Sequence, residues 1–448
     1  MSKIISAPQS LFETTFYPGY IVTAIVNAPR KGLLIRLKPL GHAVCPRCGS
    51  TCSSVHQSRE RRLREAPFPG SIRVWLEMPV RRVRCRCGCR ANERIPWVVP
   101  HQRMTARFIA EVQRRLRSDV SVNQICHELD LSWKTVRRLD KEQLEPLFST
   151  VVPSSSISRI MIDELSILKG QRYLTVFMDC DTKQIFDVVV GKTIKAMRPA
   201  FERLAKLGLA SQIRAVACDM NSAYSPLVAE YLPNAQIVYD QFHVMKLTSD
   251  GLCKEARQAQ AAAIEAKYGR TSPEAIAMRR RLRRSEYVLI ANPKGLKPDK
   301  RERLEQLLKE NQILAKLYPL MDLLRSIWTA WSPDEARETL SECIELLDAL
   351  HLRHGLKKAA VLARTLEKRC DGLVYACMHR ISTSPLEGAN CRAKLLKRIA
   401  YGYRDIRFFM LKLKAAFPGR GINPWHMLSE WSCCFGGERI EAGLHPIR

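Results

Sequence analysis

The chain has 448 residues and carries 73 Lys and Arg against 44 Asp and Glu, a net charge of +29. Its 46% apolar and 26% charged residues exclude wholesale disorder, and no run reaches the roughly 18 uninterrupted apolar residues of a membrane helix. Such an excess implies a polyanionic partner, nucleic acid or an acidic membrane surface. It is uneven: residues 1–150 hold 26 Lys and Arg against 12 Asp and Glu. The N-terminal stretch lacks a basic start followed by an apolar core, so no signal peptide is expected and the chain reads as cytoplasmic. Six of the sixteen cysteines fall between Cys45 and Cys89, a clustering that suits a reducing compartment better than a disulfide scaffold.

Cys45-Pro-Arg-Cys48-Gly is a tight knuckle, and Cys85-Arg-Cys87-Gly-Cys89 follows about forty residues later. Two knuckles joined by hairpins are a common way to give zinc four soft ligands in a tetrahedron. The fourth ligand stays open among Cys87, Cys89 and Cys52. Between the knuckles, Ser71–Glu77 and Val80–Arg84 alternate apolar with charged residues, which predicts strands with one basic face, and Arg81, Arg82 and Arg84 are candidate DNA contacts.

A helix is expected over Arg103–Arg117, then a pair at Val122–Leu129 and Trp133–Leu139 with Ser121 and Ser132 as N-caps. Val122, Ile125 and Leu129 fall on one face, against Val136 and Leu139. This leaves Trp133, Lys134, Arg137 and Arg138 for the DNA major groove, as in a helix-turn-helix. The sequence Val152-Pro-Ser-Ser-Ser-Ile-Ser reads as a linker.

Beyond it, strand-like runs precede acids. Ile160-Met-Ile leads to Asp163, Ile213–Cys218 to Asp219, and Gln236–Tyr239 to Asp240, with two further strands and two helices between. This is an α/β layer in which Asp163 and Asp219 would end separate strands. Carboxylates converging on one edge repel one another unless a cation intervenes, and a magnesium pair for phosphodiester chemistry uses such acids. Glu387 has two readings. Ser384, Pro385 and Glu387 make a capping box that explains the acid structurally. Glu387, Asn390, Lys394, Lys397 and Arg398 also follow helical spacing along one face, suited to a metal and a DNA strand. Residues 251–370 read as helical, with Leu304, Leu307, Leu308 and Leu314, then Leu340, Ile344 and Leu347, at helical spacing.

Together these motifs resemble the DDE transposases of the ISL3 insertion-sequence family. The likeness runs from the Cys-Pro-x-Cys-Gly knuckle through Arg81-Arg-Val-Arg-Cys85, Trp97, Trp133-Lys-Thr-Val136, Ile162-Asp-Glu164, Tyr173-Leu-Thr-Val176 and Cys218-Asp-Met220. It continues through Asp240-Gln-Phe-His-Val244 to Ser384-Pro-Leu-Glu-Gly-Ala-Asn390 and Tyr401-Gly-Tyr-Arg-Asp405. By resemblance, Asp163, Asp219 and Glu387 are the catalytic triad of an RNase H-like domain, Asp240 and His243 lie near it, and residues 251–370 are an insertion. Two departures stand out: the second knuckle is usually Cys-x-x-Cys, and Cys391 stands where a second Asn is usual after Asn390.

The expected architecture is therefore multidomain α+β: a zinc ribbon (1–100), a helix-turn-helix (101–150), and an α/β RNase H-like catalytic domain in two parts (151–250 and 371–448) around a large α-helical insertion (251–370). The expected cofactors are two Mg²⁺ (or Mn²⁺) per active site and a structural Zn²⁺. The expected partner is double-stranded DNA, both element ends and target, held by a homo-oligomer and away from membranes. The expected activity is strand cleavage and transfer at terminal inverted repeats. The rivals are an inert transposase-derived regulator and a nuclease without joining activity.

Overall fold

The computed structural model describes residues 15–28, 32–68, 72–168, 172–283, 285, 289, 295–422 and 425. The chain divides into two compact units. Among the described residues, one comprises those from 15 to 150 with 393–415, the other those from 151 to 392 with 416–421. Residues 393–415 pack with the first of these units.

In the first unit, strands β1 (Tyr20–Ala28), β2 (Gly32–Pro39), β5 (Val55–Phe68), β6 (Ile72–Arg84) and β7 (Arg90–Asn92) form one sheet in the order β1-β2-β6-β5, with β7 on β6. The period of two in β6 is explicit: Val74, Leu76, Met78 and Val80 are buried in alternation with less buried neighbours. They pack with Ile35, Leu37, Leu63 and Tyr20. Gly32 makes the β2–β6 approach possible, because a Cβ there would lie 2.2 Å from the Arg73 carbonyl oxygen. A two-stranded ribbon, β3 (Ala43–Val44) with β4 (Thr51–Cys52), carries the first cysteine knuckle.

Three helices follow: α1 (Ala106–Leu116), α2 (Val122–Leu129) and α3 (Trp133–Phe148). The first starts three residues later than the expected Arg103 because Thr105 caps it, accepting from the Phe108 N–H. Ser121 and Ser132 cap α2 and α3 through the Gln124 and Thr135 N–H groups. Phe108, Val112, Leu116, Ile125, Leu129, Val136 and Leu139 form their shared core.

The second unit is built on a five-stranded sheet. It contains β8 (Arg159–Leu168), β9 (Arg172–Asp179), β10 (Ile185–Val190), β11 (Ala215–Cys218) and β12 (Gln236–Tyr239), in the order β10-β9-β8-β11-β12. The β10–β9 and β9–β8 pairs are antiparallel; β8–β11 and β11–β12 are parallel. Helices α4 (Ile194–Lys206) and α5 (Tyr224–Tyr231) supply the crossovers. Helix α6 (Gln241–Leu247) opens a helical stretch that ends with α7 (Cys370–His379). Leu304, Leu307, Leu314, Leu340 and Leu347 are buried in its core, and Leu308 and Ile344 pack against it. Gly372 on α7 lets that helix meet β12, since a Cβ would fall 2.5 Å from the Tyr239 ring. The expected break at Lys294–Asp299 falls partly outside the described residues, and a helix restarts at Pro298. No helix among the described residues is long and apolar enough to cross a membrane.

Candidate active site and nucleic-acid interface

The acids of the second unit are aligned by strand register. Ala215, Val216 and Ala217 of β11 pair with Arg159, Ile160 and Met161 of β8. Carried two residues further, that register sets Asp219 beside Asp163. On the other side Cys218 pairs with Tyr239, and the Asp240 N–H donates to the Cys218 carbonyl at 3.2 Å. Asp163, Asp219 and Asp240 therefore stand abreast across three strands. Asp219 and Asp240 lie just past their strand ends, but Asp163 does not. The apolar run of the sequence stops there, yet β8 continues to Leu168, with Asp163 opposite Val176 on β9. The antiparallel pairing with β9 extends β8 beyond the reach of its short parallel neighbour.

Asp163 is the most constrained of the acids. Its Oδ1 accepts from the Glu164 N–H at 2.7 Å and its Oδ2 from the Asn390 amide at 2.7 Å. Burial pushes its carboxyl above the ordinary range, opposed by those two donors and raised further by Asp219. Asp219 Oδ1 accepts from the Asn221 N–H at 3.0 Å. Asp240 caps α6 through the Phe242 N–H, and its Oδ2 lies 3.3 Å from His243 Nδ1 without hydrogen-bond alignment.

Glu387 lies one turn before Asn390 on helix α8 (Ser384–Ile399) and is exposed, and its side chain makes no hydrogen bond or ion pair with the described residues. The expected capping box does not form. The Glu387 N–H donates to the Thr383 carbonyl, so the helix starts one residue earlier than expected and Thr383, not Ser384, stands at the cap position. That removes the structural explanation for Glu387. Among the described residues, the three acids are not gathered within 4.8 Å of one another as a ligand set.

Glu164, Asn221 and Lys192 were not singled out from sequence. Glu164 accepts from Asn221 Nδ2 at 2.6 Å and pairs with Lys192 at 3.4 Å. With Lys195 and Asp219 they line a cleft of about 720 Å³. Their signal was adjacency, since Glu164 follows Asp163 directly and Asn221 lies two residues after Asp219.

In the first unit, the Sγ atoms of Cys45, Cys48, Cys85 and Cys87 all lie within 4.8 Å of one another. Cys45–Cys87 and Cys48–Cys85 are 3.7 and 3.5 Å apart. Tetrahedral zinc with Zn–S of about 2.3 Å needs sulfurs about 3.8 Å apart, so this donor set fits the ion in number, softness and spacing. Cys89 and Cys52 fall outside the quartet.

The side chains expected to meet DNA divide into those that stay exposed and those engaged within the fold. Trp133, Lys134, Arg82, Arg84, Lys394 and Arg398 are exposed. Lys397 lies half-buried on α8. Arg81 is instead consumed within the fold: its Nε and Nη2 bond the buried Glu93 carboxylate at 2.6–3.0 Å. Arg137 is likewise engaged, with Asp405 at 2.6 Å and its guanidinium 5.3 Å from the Trp133 and Phe408 ring centroids. Arg138, still exposed, bonds Glu142 and Gln102. Local strand and helix periodicity could not reveal these partners, because Glu93 and Asp405 come from other elements.

A cysteine quartet and a helix-turn-helix in one unit, with acids abreast on an α/β sheet in the other, belong to a chain that the family comparisons place among the DNA transposases. A family model described as Transposase, for the DDE enzymes of the ISL3 group, matches residues 160–413. A second, described as the helix-turn-helix domain of transposase family ISL3, matches residues 93–143. The chain belongs to the ISL3 family of DDE transposases. It is 34% identical over 394 residues to the transposase for insertion sequence element IS1001 of Bordetella parapertussis, covering 87% of this chain and 93% of that protein. It is 27% identical over 413 residues to the transposase for insertion sequence element IS1557 of Mycobacterium tuberculosis, covering 88% of this chain and 91% of that one.

Proposed function

We propose that this transposase binds the terminal inverted repeats of its own insertion sequence through the four-cysteine ribbon and helix-turn-helix. It then cuts the strand at the element end and joins the freed 3′ hydroxyl to target DNA. The observation that carries the reading is the alignment of Asp163 with Asp219, with Asn390 of the Glu387 helix donating to Asp163. The strand order, three antiparallel strands followed by two parallel ones, supports an RNase H-like fold for the catalytic unit.

Asp163, Asp219 and Glu387 offer hard oxygen donors of the kind that hold Mg²⁺ or Mn²⁺. Two such ions, when bound, would activate the attacking oxygen and stabilise the leaving one. The chain's own work is positioning. Asn390 and the Glu164 N–H hold the Asp163 carboxylate in one orientation, and Asn221 fixes Asp219. Glu387, free of a capping role, can turn toward the aligned acids. Asp240 and His243 flank them. Zinc in the Cys45, Cys48, Cys85 and Cys87 quartet would hold the ribbon against the end of β6. Arg82, Arg84, Lys134, Arg138, Lys394, Lys397 and Arg398 track phosphates and make binding steeply salt-dependent. We assign the working form to a homo-oligomer on DNA in the bacterial cytoplasm, associated with the nucleoid.

The test is joining of pre-cut end duplex to a plasmid in the presence of Mg²⁺ or Mn²⁺. Joined product supports the reading. Cleavage without joining would mark a nuclease, and binding without cleavage a regulator.

A further inference from the structure

Tyr401 is 92% exposed and sits at φ +52°, the left-handed region that bulky residues avoid. It occupies the closing position of helix α8. Its N–H donates to the Arg398 carbonyl at 3.2 Å, and the Gly402 N–H reaches the Lys397 carbonyl at 2.8 Å. Glycine ordinarily fills that position, where it carries no Cβ penalty. Here an aromatic ring takes the strained place and buries almost none of its surface, so the fold gains little from it.

The turn around Tyr401 is anchored nonetheless. Tyr403, two residues on, packs on Phe409 and Phe408 with ring centroids 4.8 and 5.9 Å away. Asp405 pairs with Arg137 at 2.6 Å and Lys141 at 2.9 Å, both on α3. Four residues of chain span at most about 14 Å, so Tyr401 stands close to the helix expected to read DNA. Exposed Arg398 and Arg404 flank it. A strained, anchored, solvent-facing aromatic between cations is paid for by function rather than stability.

We infer that the Ala400–Asp405 turn is a second DNA-contacting element of the helix-turn-helix unit. Tyr401 lays its ring on a base edge or sugar of duplex DNA, and Arg398 and Arg404 hold the adjacent phosphates. Asp405 with Arg137 is the brace that fixes this turn to α3. Arg137 therefore acts as a positioning residue and not as a base reader. The inference rests on the reading of α3 as the DNA-recognition helix.

The test uses full-length protein and a fluorescein-labelled duplex selected by the wild type from a random-sequence pool. Y401G should weaken binding by about fivefold, the scale of one lost aromatic contact, while its melting temperature stays level or rises because the strain is relieved. Y401F should bind within about twofold of wild type. R398Q and R404Q should each lower the salt slope of binding by about one. If Y401G, R398Q and R404Q all bind as wild type while K134Q binds more weakly, the second contact element is overturned and the recognition helix stands. Failure of the wild type to bind any duplex overturns both.

Discussion

Replacing Arg81 by Gln is expected to destabilise the N-terminal unit without acting first on DNA. The Glu93 side chain is 2% exposed and that of Arg81 15%. The guanidinium gives Glu93 contacts at 3.0, 3.0 and 2.6 Å. Two donors would survive the substitution, the Arg81 N–H at 2.8 Å and the Tyr20 hydroxyl at 3.4 Å. Breaking one side of a buried pair typically costs 3–5 kcal/mol; with those donors left, about 3 kcal/mol is expected. That is roughly a 150-fold change in the folding equilibrium, or a fall of about 6–12 °C in melting temperature for a unit of this size. The double variant R81Q/E93Q should recover part of the loss, because no unpaired charge stays buried. Near-UV circular dichroism can follow this unit through Trp97, whose ring lies 5.2 and 5.4 Å from those of Tyr17 and Tyr20. Arg82→Gln, at an exposed site, should leave melting unchanged and weaken duplex binding. The reasoning fails if R81Q melts as wild type and loses DNA affinity in step with R82Q.

Cys87→Ser should abolish bound zinc and Cys89→Ser should leave it, measured by elemental analysis of the purified proteins; equal zinc in both would remove Cys87 from the ligand set. Hydrogen bonding from Lys141, with the Arg137 charge, holds the Asp405 carboxyl below its usual range near 3.8. Its stabilising contribution is thus complete above about pH 4 and lost as pH falls through the lowered value. Asp405→Asn should cost about 1 kcal/mol at neutral pH and flatten the acid limb of the stability profile below about pH 4; an identical limb in both proteins would show that the brace contributes nothing.

Much of the fold is legible in local pattern. Ser121 and Ser132 cap their helices because a short hydroxyl followed by an amphipathic run has few better uses. The alternation from Val74 to Val80 is the signature of a strand with one covered face. Asp219 and Asp240 stand out because each follows an apolar run, which marks where a buried strand surfaces. What escaped is long-range. Strand β2 pairs in parallel with β6 across some forty residues, and nothing local specifies that. Arg81 looked like a phosphate contact until Glu93 was placed beside it, and Arg137 until Asp405, 268 positions away. The extent of β8 past Asp163 depends on its partner β9, so the acid read as a strand end is mid-strand. Choosing Cys87 over Cys89 required the hairpin geometry that brings Cys87 to 3.7 Å from Cys45.

The central claim is that Asp163, Asp219 and Glu387 perform DNA cleavage and joining. The most direct measurement is strand transfer of a pre-cut element end in Mg²⁺ or Mn²⁺, run beside duplex binding for wild type, D163N, D219N and E387Q. The account predicts joined product for the wild type, near-complete loss of it in each variant, and end binding within about twofold throughout, since one lost charge outside the DNA-reading unit changes affinity little. Joining retained in any one of the three variants would contradict it.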